Sequence, residues 1–210
     1  MRLRDAWYWL LVGFYAVLWI GGVATRIVRP GQPAPVWAAP AFLLAAAAIA
    51  AAGAREPAAI LLFAAGGFLL ELVGVHWGLP FGRYAYTGLL GPGAGGVPFA
   101  IAFAWLSLLL FARDCAWRMA GGKLRAALLG AGMMTLVDLL VDPVATRLLG
   151  YWEWRQPGLY FGVPAINFTG WFAVSAVLLG IAGKPREVSR SVLAAGASVV
   201  LFFAVIAACR

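Results

Sequence analysis

The sequence predicts an all-α fold, a polytopic membrane helix bundle of about seven transmembrane helices in a single domain covering residues 1–210. Three observations carry this. Apolar residues make up 64% of the chain and charged residues 11%, whereas soluble domains carry about a quarter charged residues and could not hide this much apolar surface. The apolar residues fall in long uncharged runs, and a bilayer-spanning helix needs about 20 of them. The basic residues lie between the runs, as membrane topology requires.

Taken in order, the spans are residues 6–25, 36–54, 57–75, 97–118, 124–142, 163–182 and 190–208. The first is too long, too aromatic and too punctuated by Gly for a signal peptide, and shows no small-x-small cleavage site, so it is expected to be helix one. The second holds the Ala-rich run Ala45–Ala52, suited to tight packing between helices. Pro143 is expected to end the fifth. Helices one, two and seven have no acid in their interiors and are expected to be scaffold.

The net charge of +8 is not a nucleic-acid signal here. Ten of the 16 basic residues fall on one side if the N-terminus is inside: Arg2, Arg4, Arg55, Arg113, Arg118, Lys123, Arg125, Lys184, Arg186 and Arg190. Six fall on the other: Arg26, Arg29, Arg83, Arg147, Arg155 and Arg210. The bias predicts a multi-pass cell-membrane protein with a cytoplasmic N-terminus. Cys115 and Cys209 have no metal spacing and do not form a disulfide framework. A single His excludes a multi-His metal site. No phosphate loop, Ser-His-Asp set or dinucleotide fingerprint appears, so no cofactor is expected.

Two stretches echo each other. One runs Glu71-(x10)-Gly82-Arg83-Tyr84-Ala85-Tyr86, then Gly96-Val97-Pro98 and Trp105. The other runs Asp138-(x11)-Gly150-Tyr151-Trp152-Glu153-Trp154, then Gly162-Val163-Pro164 and Trp171. Each has an acid in an apolar segment, a Gly-x-aromatic-x-aromatic loop, a Gly-Val-Pro helix start and a Trp seven residues after the Pro. The pattern predicts a parallel repeat of helices 3–4 and 5–6, with both acids at similar depth. Chance similarity in a chain rich in Gly and Trp is the alternative.

These stretches hold the candidate site. Acids inside a membrane are costly to place and usually functional. Glu71 shares a helical face with Gly67 and Gly74, so another group can come close to it. An interfacial acid paired with Arg83 or His76 is the structural alternative. Asp138 and Asp142, four apart, share a face with Thr135. They can share a proton or hold Mg²⁺ for a diphosphate; equally, Asp142 can merely order the following loop. Tyr84, Tyr86, Trp152 and Trp154 alternate, so each loop presents both rings on one side if extended. They serve either as an interfacial belt or as ring faces that stabilise a cation, worth about 0.5–2 kcal/mol each. Trp105 and Trp171 divide between packing and site in the same way. Asn167, on the face of Trp171, needs partners when buried: it orients a water, binds a carboxyl or ties helices together. His76 stands at a helix end, where interfacial placement is the plainer reading.

The segments Phe81–Tyr86, Leu90-Gly91-Pro92, Val97-Pro98, Asp138-Leu139-Leu140-Val141-Asp142-Pro143 and Gly150–Trp154, continuing through Tyr160-Phe161-Gly162-Val163-Pro164 to Asn167 and Gly170-Trp171, resemble the membrane-integral carotenoid biosynthesis family. That family includes CruF-type carotenoid 1′,2′-hydratases and bisanhydrobacterioruberin hydratases. The likeness spans roughly residues 60–182. It implies cofactor-free addition of water to the terminal isopropylidene double bond of an acyclic carotenoid dissolved in the bilayer, of the lycopene or γ-carotene type, giving a tertiary alcohol. Glu71 and Asp138 would then be the acid/base pair, Asp142 and Asn167 would position water, and Tyr84, Tyr86, Trp105, Trp152, Trp154 and Trp171, with Arg83 and His76, would bind the substrate and shape the site. An end-group cyclase needs the same initial protonation and stays open. A prenyl transferase fits less well, with one Asp-x3-Asp pair. A proton-coupled transporter is the rival from another class. A retinal protein is excluded, because Lys123 and Lys184, the only lysines, fall outside the spans.

Overall fold

The computed structural model describes residues 3–29, 31–32 and 34–209. Arg2 and Arg210, counted above for topology, lie outside the described residues. The chain forms α1 (Leu3–Val28), α2 (Ala38–Ala54), α3 (Pro57–Trp77), β1 (Tyr84–Tyr86), β2 (Gly93–Ala94), β3 (Val97–Pro98), α4 (Phe99–Met119), α5 (Lys123–Arg147), β4 (Trp152–Trp154), α6 (Ala165–Ala182) and α7 (Arg190–Ala208). All but α2 are long and apolar enough to cross a membrane. At 17 residues α2 is the short one, about 25 Å against a hydrocarbon core of about 30 Å.

Local chemistry sets the boundaries. α3 starts on Pro57, in the first turn where a missing N–H costs nothing. It ends on Gly78, whose left-handed φ of 72° lets its N–H cap the carbonyl of Gly74. α4 and α6 both follow an extended proline, Pro98 at φ −66° and Pro164 at φ −70°, so the repeated Val-Pro starts both helices alike. The expected stop at Pro143 does not occur: α5 runs on to Arg147. Proline removes one backbone bond, and other partners hold the turn. The Thr146 hydroxyl donates to the Asp142 carbonyl at 2.8 Å, and packing against α6 and the Asn167 contact fix the Asp142 side.

The helices pack with α4 at the centre, flanked by α2, α3, α5 and α7, while α5 and α6 form the closest pair. Ala46 and Ala50 are fully buried, so α2 lies close against its neighbours, as the Ala run implies. α1 is peripheral. It is tied on by Tyr8 and Tyr15, each 2.8 Å from a serine hydroxyl of α7 (Ser191 and Ser198), and by Trp19 donating to the Ser198 carbonyl at 3.0 Å.

Four very short strands add to the all-α expectation. β1 and β4 pair antiparallel, with Tyr84 opposite Trp154, Ala85 opposite Glu153 and Tyr86 opposite Trp152. The two echo loops therefore meet each other, the first ring of one facing the second ring of the other. β2 and β3 form a small hairpin before α4.

At the opposite end lies a buried ion cluster. Arg113, counted among the loop charges for topology, is instead 1% exposed. It donates to Glu56 at 2.8 Å and stands 3.8 Å from Asp114. The backbone N–H groups of Arg186 and Ser189 donate to Glu56 and Asp114. The cluster thus joins the start of α3, the end of α4 and the α6–α7 connection. Removing one member of a buried pair strands the other charge. Arg113→Leu is expected to cost about 3–5 kcal/mol, read as a large drop in the thermal midpoint of the detergent-solubilised protein.

Candidate active site

Three carboxyl groups converge at the loop end of the bundle. Counted along the helices at 1.5 Å per residue, Glu71 lies about 9 Å from the end of α3 and Asp142 about 8 Å from the end of α5. Glu71 is 5% exposed. Its Oε2 accepts from the Tyr84 hydroxyl at 2.5 Å and the Tyr86 hydroxyl at 2.7 Å, and its Oε1 from the Trp105 indole at 3.0 Å. The glycines on its face make this fit possible. A Cβ on Gly67 would overlap the Trp105 ring, and one on Gly74 would sit 2.6 Å from the Tyr84 hydroxyl.

Asp138 and Asp142 are 1% and 2% exposed and lie on one face of α5. The Asn167 amide, on α6, donates to both, at 2.6 Å to Asp138 Oδ2 and 2.9 Å to Asp142 Oδ2. Asp142 Oδ1 also accepts from the indoles of Trp152 at 3.2 Å and Trp154 at 2.9 Å. Asp138 Oδ1 is buried and has no partner in the protein. Glu71 and Asp142 thus accept at both oxygens, whereas a carboxyl with an unpartnered oxygen can carry a proton there as a donor.

The paired strands explain the division. Alternation points both rings of each loop inward, the tyrosines to Glu71 and the tryptophans to Asp142, and leaves Glu153 exposed on the other side. Trp105 and Trp171 stack with centroids 4.4 Å apart and planes 21° from parallel. Burial, and next the neighbouring Glu71 charge, push the Tyr84 and Tyr86 phenols well above their ordinary range. Both therefore stay neutral donors at any ordinary pH.

These groups line one cavity of about 70 Å³, room for more than one water. Glu71, Tyr84, Tyr86, Trp105, Asp138, Asp142, Trp152, Trp154, Asn167 and Trp171 all face it, and among the described residues that line it none is basic. Two sequence candidates are not brought there. Arg83 is exposed, and its backbone N–H donates to Gln156 at 3.1 Å. His76 is exposed, and its ring pairs with the Leu72 carbonyl at 2.8 Å. Nor does either pair with Glu71. Among the described residues, no group of three or more His, Cys, Asp or Glu side chains is arranged to hold a metal ion.

Sequence reasoning missed the apolar half of the wall. Leu43 of α2 and Val199 and Phe203 of α7 line the cavity, so two helices expected to be scaffold contribute to the site. A uniformly apolar helix gives no sign of which side faces a cavity. Phe81 and Tyr151 also line it; one directly precedes and the other follows the loop glycines Gly82 and Gly150, the signal that could have found them.

A family model described as "Carotenoid biosynthesis protein" matches residues 36–209. Among curated proteins, the bisanhydrobacterioruberin hydratase of Haloarcula japonica is 34% identical over 124 residues, which cover 57% of this chain and 41% of the relative. The match thus spans less than half of that relative's length. No solved structure matches the chain.

Proposed function

The chain belongs to the carotenoid biosynthesis protein family, and on that premise we propose that it is a carotenoid hydratase. It would add water across the terminal isopropylidene double bond of an acyclic carotenoid, of the lycopene or γ-carotene type, from within the cell membrane. The observation that carries this reading is one cavity in which one carboxyl keeps an unpartnered oxygen while both oxygens of each of the other two accept hydrogen bonds. The name of the curated relative agrees with it.

In this mechanism Asp138 is the acid. Its free Oδ1 delivers a proton to C-2, using the π electrons of the double bond and leaving a tertiary cation at C-1. The stacked Trp105 and Trp171 rings and the Tyr84 and Trp154 rings stabilise that cation, each face contributing about 0.5–2 kcal/mol. A water held in the cavity attacks C-1, and Glu71 takes its proton, directly or through the Tyr84 and Tyr86 hydroxyls. The proton returns from Glu71 to Asp138 through cavity water before the next turnover. Asp142, held by two indoles and Asn167, orients Asn167 against Asp138 and leaves the proton transfer to Asp138. The N-terminus lies on the cytoplasmic side, by the charge bias of the loops.

Expression in a bacterial host that accumulates lycopene, followed by liquid chromatography–mass spectrometry of the pigments, tests the reading. A product heavier by one or two waters is expected. An isomer of unchanged mass would replace hydration by cyclisation. Unaltered lycopene and unaltered γ-carotene, with the protein present in the membrane, would overturn the reading.

A further inference from the structure

The acid cavity is far too small for a polyene, so most of the substrate must lie elsewhere. A second, mostly apolar cavity of about 800 Å³ lies beside it, between the last turns of α1, the α1–α2 connection, the start of α2 and the ends of α5 and α7. The two share one lining residue. Tyr151 lines both. Around it, neighbouring residues face opposite ways: Phe42, Leu89 and Phe202 line the large cavity, and Leu43, Leu90 and Phe203 the small one.

The geometry points to the large cavity as the binding site for the long hydrocarbon body of the substrate, with Tyr151 as the threshold under which the end group reaches the acids. This rests on the end-group chemistry proposed above. Three observations converge on it. The two spaces adjoin through a shared residue. The larger is an order of magnitude bigger. Its outer wall is α1, the most exposed helix of the bundle, whose last side-chain tie to α7 is Trp19, so that its final turns, from Gly21 to Arg26, line the cavity beyond that tie. A lipid-dissolved chain can therefore enter sideways beneath the last turns of α1 without disturbing the core. An occupant of this kind is an extended hydrocarbon, recognised by shape and by contact with the apolar part of the wall; Arg26 and Arg147 also line the cavity, at the ends of α1 and α5.

The test fills the cavity without touching the acids. A Cβ on Gly21 meets nothing within 4 Å, so Gly21→Phe places a ring in free space. Ala34→Trp does so from an exposed position in the connection. Lycopene in detergent micelles is the probe, and its binding is read by quenching of tryptophan fluorescence and by induced circular dichroism of the polyene band. Wild type and Glu71→Gln are expected to bind alike, and both filled variants to bind at least tenfold more weakly. In turnover, the filled variants are expected to raise KM for the carotenoid at unchanged kcat, and to leave a short acyclic terpene with the same end group unaffected. Unchanged lycopene binding in both filled variants would overturn the inference, as would equal losses on long and short substrates. Binding that depends on the cavity, in a wild-type protein that forms no hydrated product, would sustain the site and reject the hydratase reading.

Discussion

Glu71→Gln is expected to stop formation of the alcohol while leaving protonation of the end group intact. The substitution keeps size, and with the amide oxygen accepting from Trp105 and the amide NH2 donating to the Tyr84 and Tyr86 oxygens each neighbour retains a partner, so the thermal midpoint should hold. What is lost is the acceptor for the proton of the attacking water. General bases contribute about 10²–10⁴-fold, and turnover should fall by that factor. Protonation continues on the other side of the cavity. In deuterated water Asp138 delivers a deuteron to C-2; loss of a proton from the same carbon restores the alkene and leaves the label behind. Recovered lycopene should therefore gain mass although no alcohol forms. Near-normal hydration by Glu71→Gln would remove Glu71 from the mechanism.

Asp138→Asn is expected to abolish both reactions. With no proton donor at the free oxygen no cation forms, so neither alcohol nor label appears, and the loss of turnover should again reach about 10²–10⁴-fold. Label uptake in Asp138→Asn but not in Glu71→Gln would exchange the two roles. The pair of variants thus separates acid from base by the fate of one hydrogen, where measurement of activity alone would score both as inactive. Folding is checked by lycopene binding, which both variants should retain.

Much of this was legible in the sequence, for a physical reason. In a bilayer every acid must be accounted for, so Glu71, Asp138 and Asp142 stood out from hydrocarbon, and the two loops advertised their likeness. The helix order and the Val-Pro starts of α4 and α6 followed from hydropathy and backbone chemistry. The β1–β4 pair was hidden because three-residue strands carry too little pattern, and only the alternation of rings hinted at it. Pro143 misled because proline's cost is local, while tertiary contacts through Asp142 and Asn167 act on the same turn. Arg113 misled because a basic residue near a span's end looks like a topology signal whether it faces water or Glu56. Neither cavity had a signature of its own, since the apolar residues lining it are the same types that face lipid.

The depth of the acids has a consequence for the direction of net flux. Glu71 and Asp142 lie within two turns of the loop end of their helices, near the water beyond the spans, while an acyclic carotenoid is dissolved in the hydrocarbon. Under the proposed reaction, the two reactants thus come from different phases, one present in vast excess and the other scarce. Mass action then favours addition over elimination with no energy source supplied by the protein. The new hydroxyl prefers the headgroup layer to the oily interior, so partitioning draws the product outward as soon as it forms. The bilayer itself acts as the sink that makes a freely reversible addition run one way.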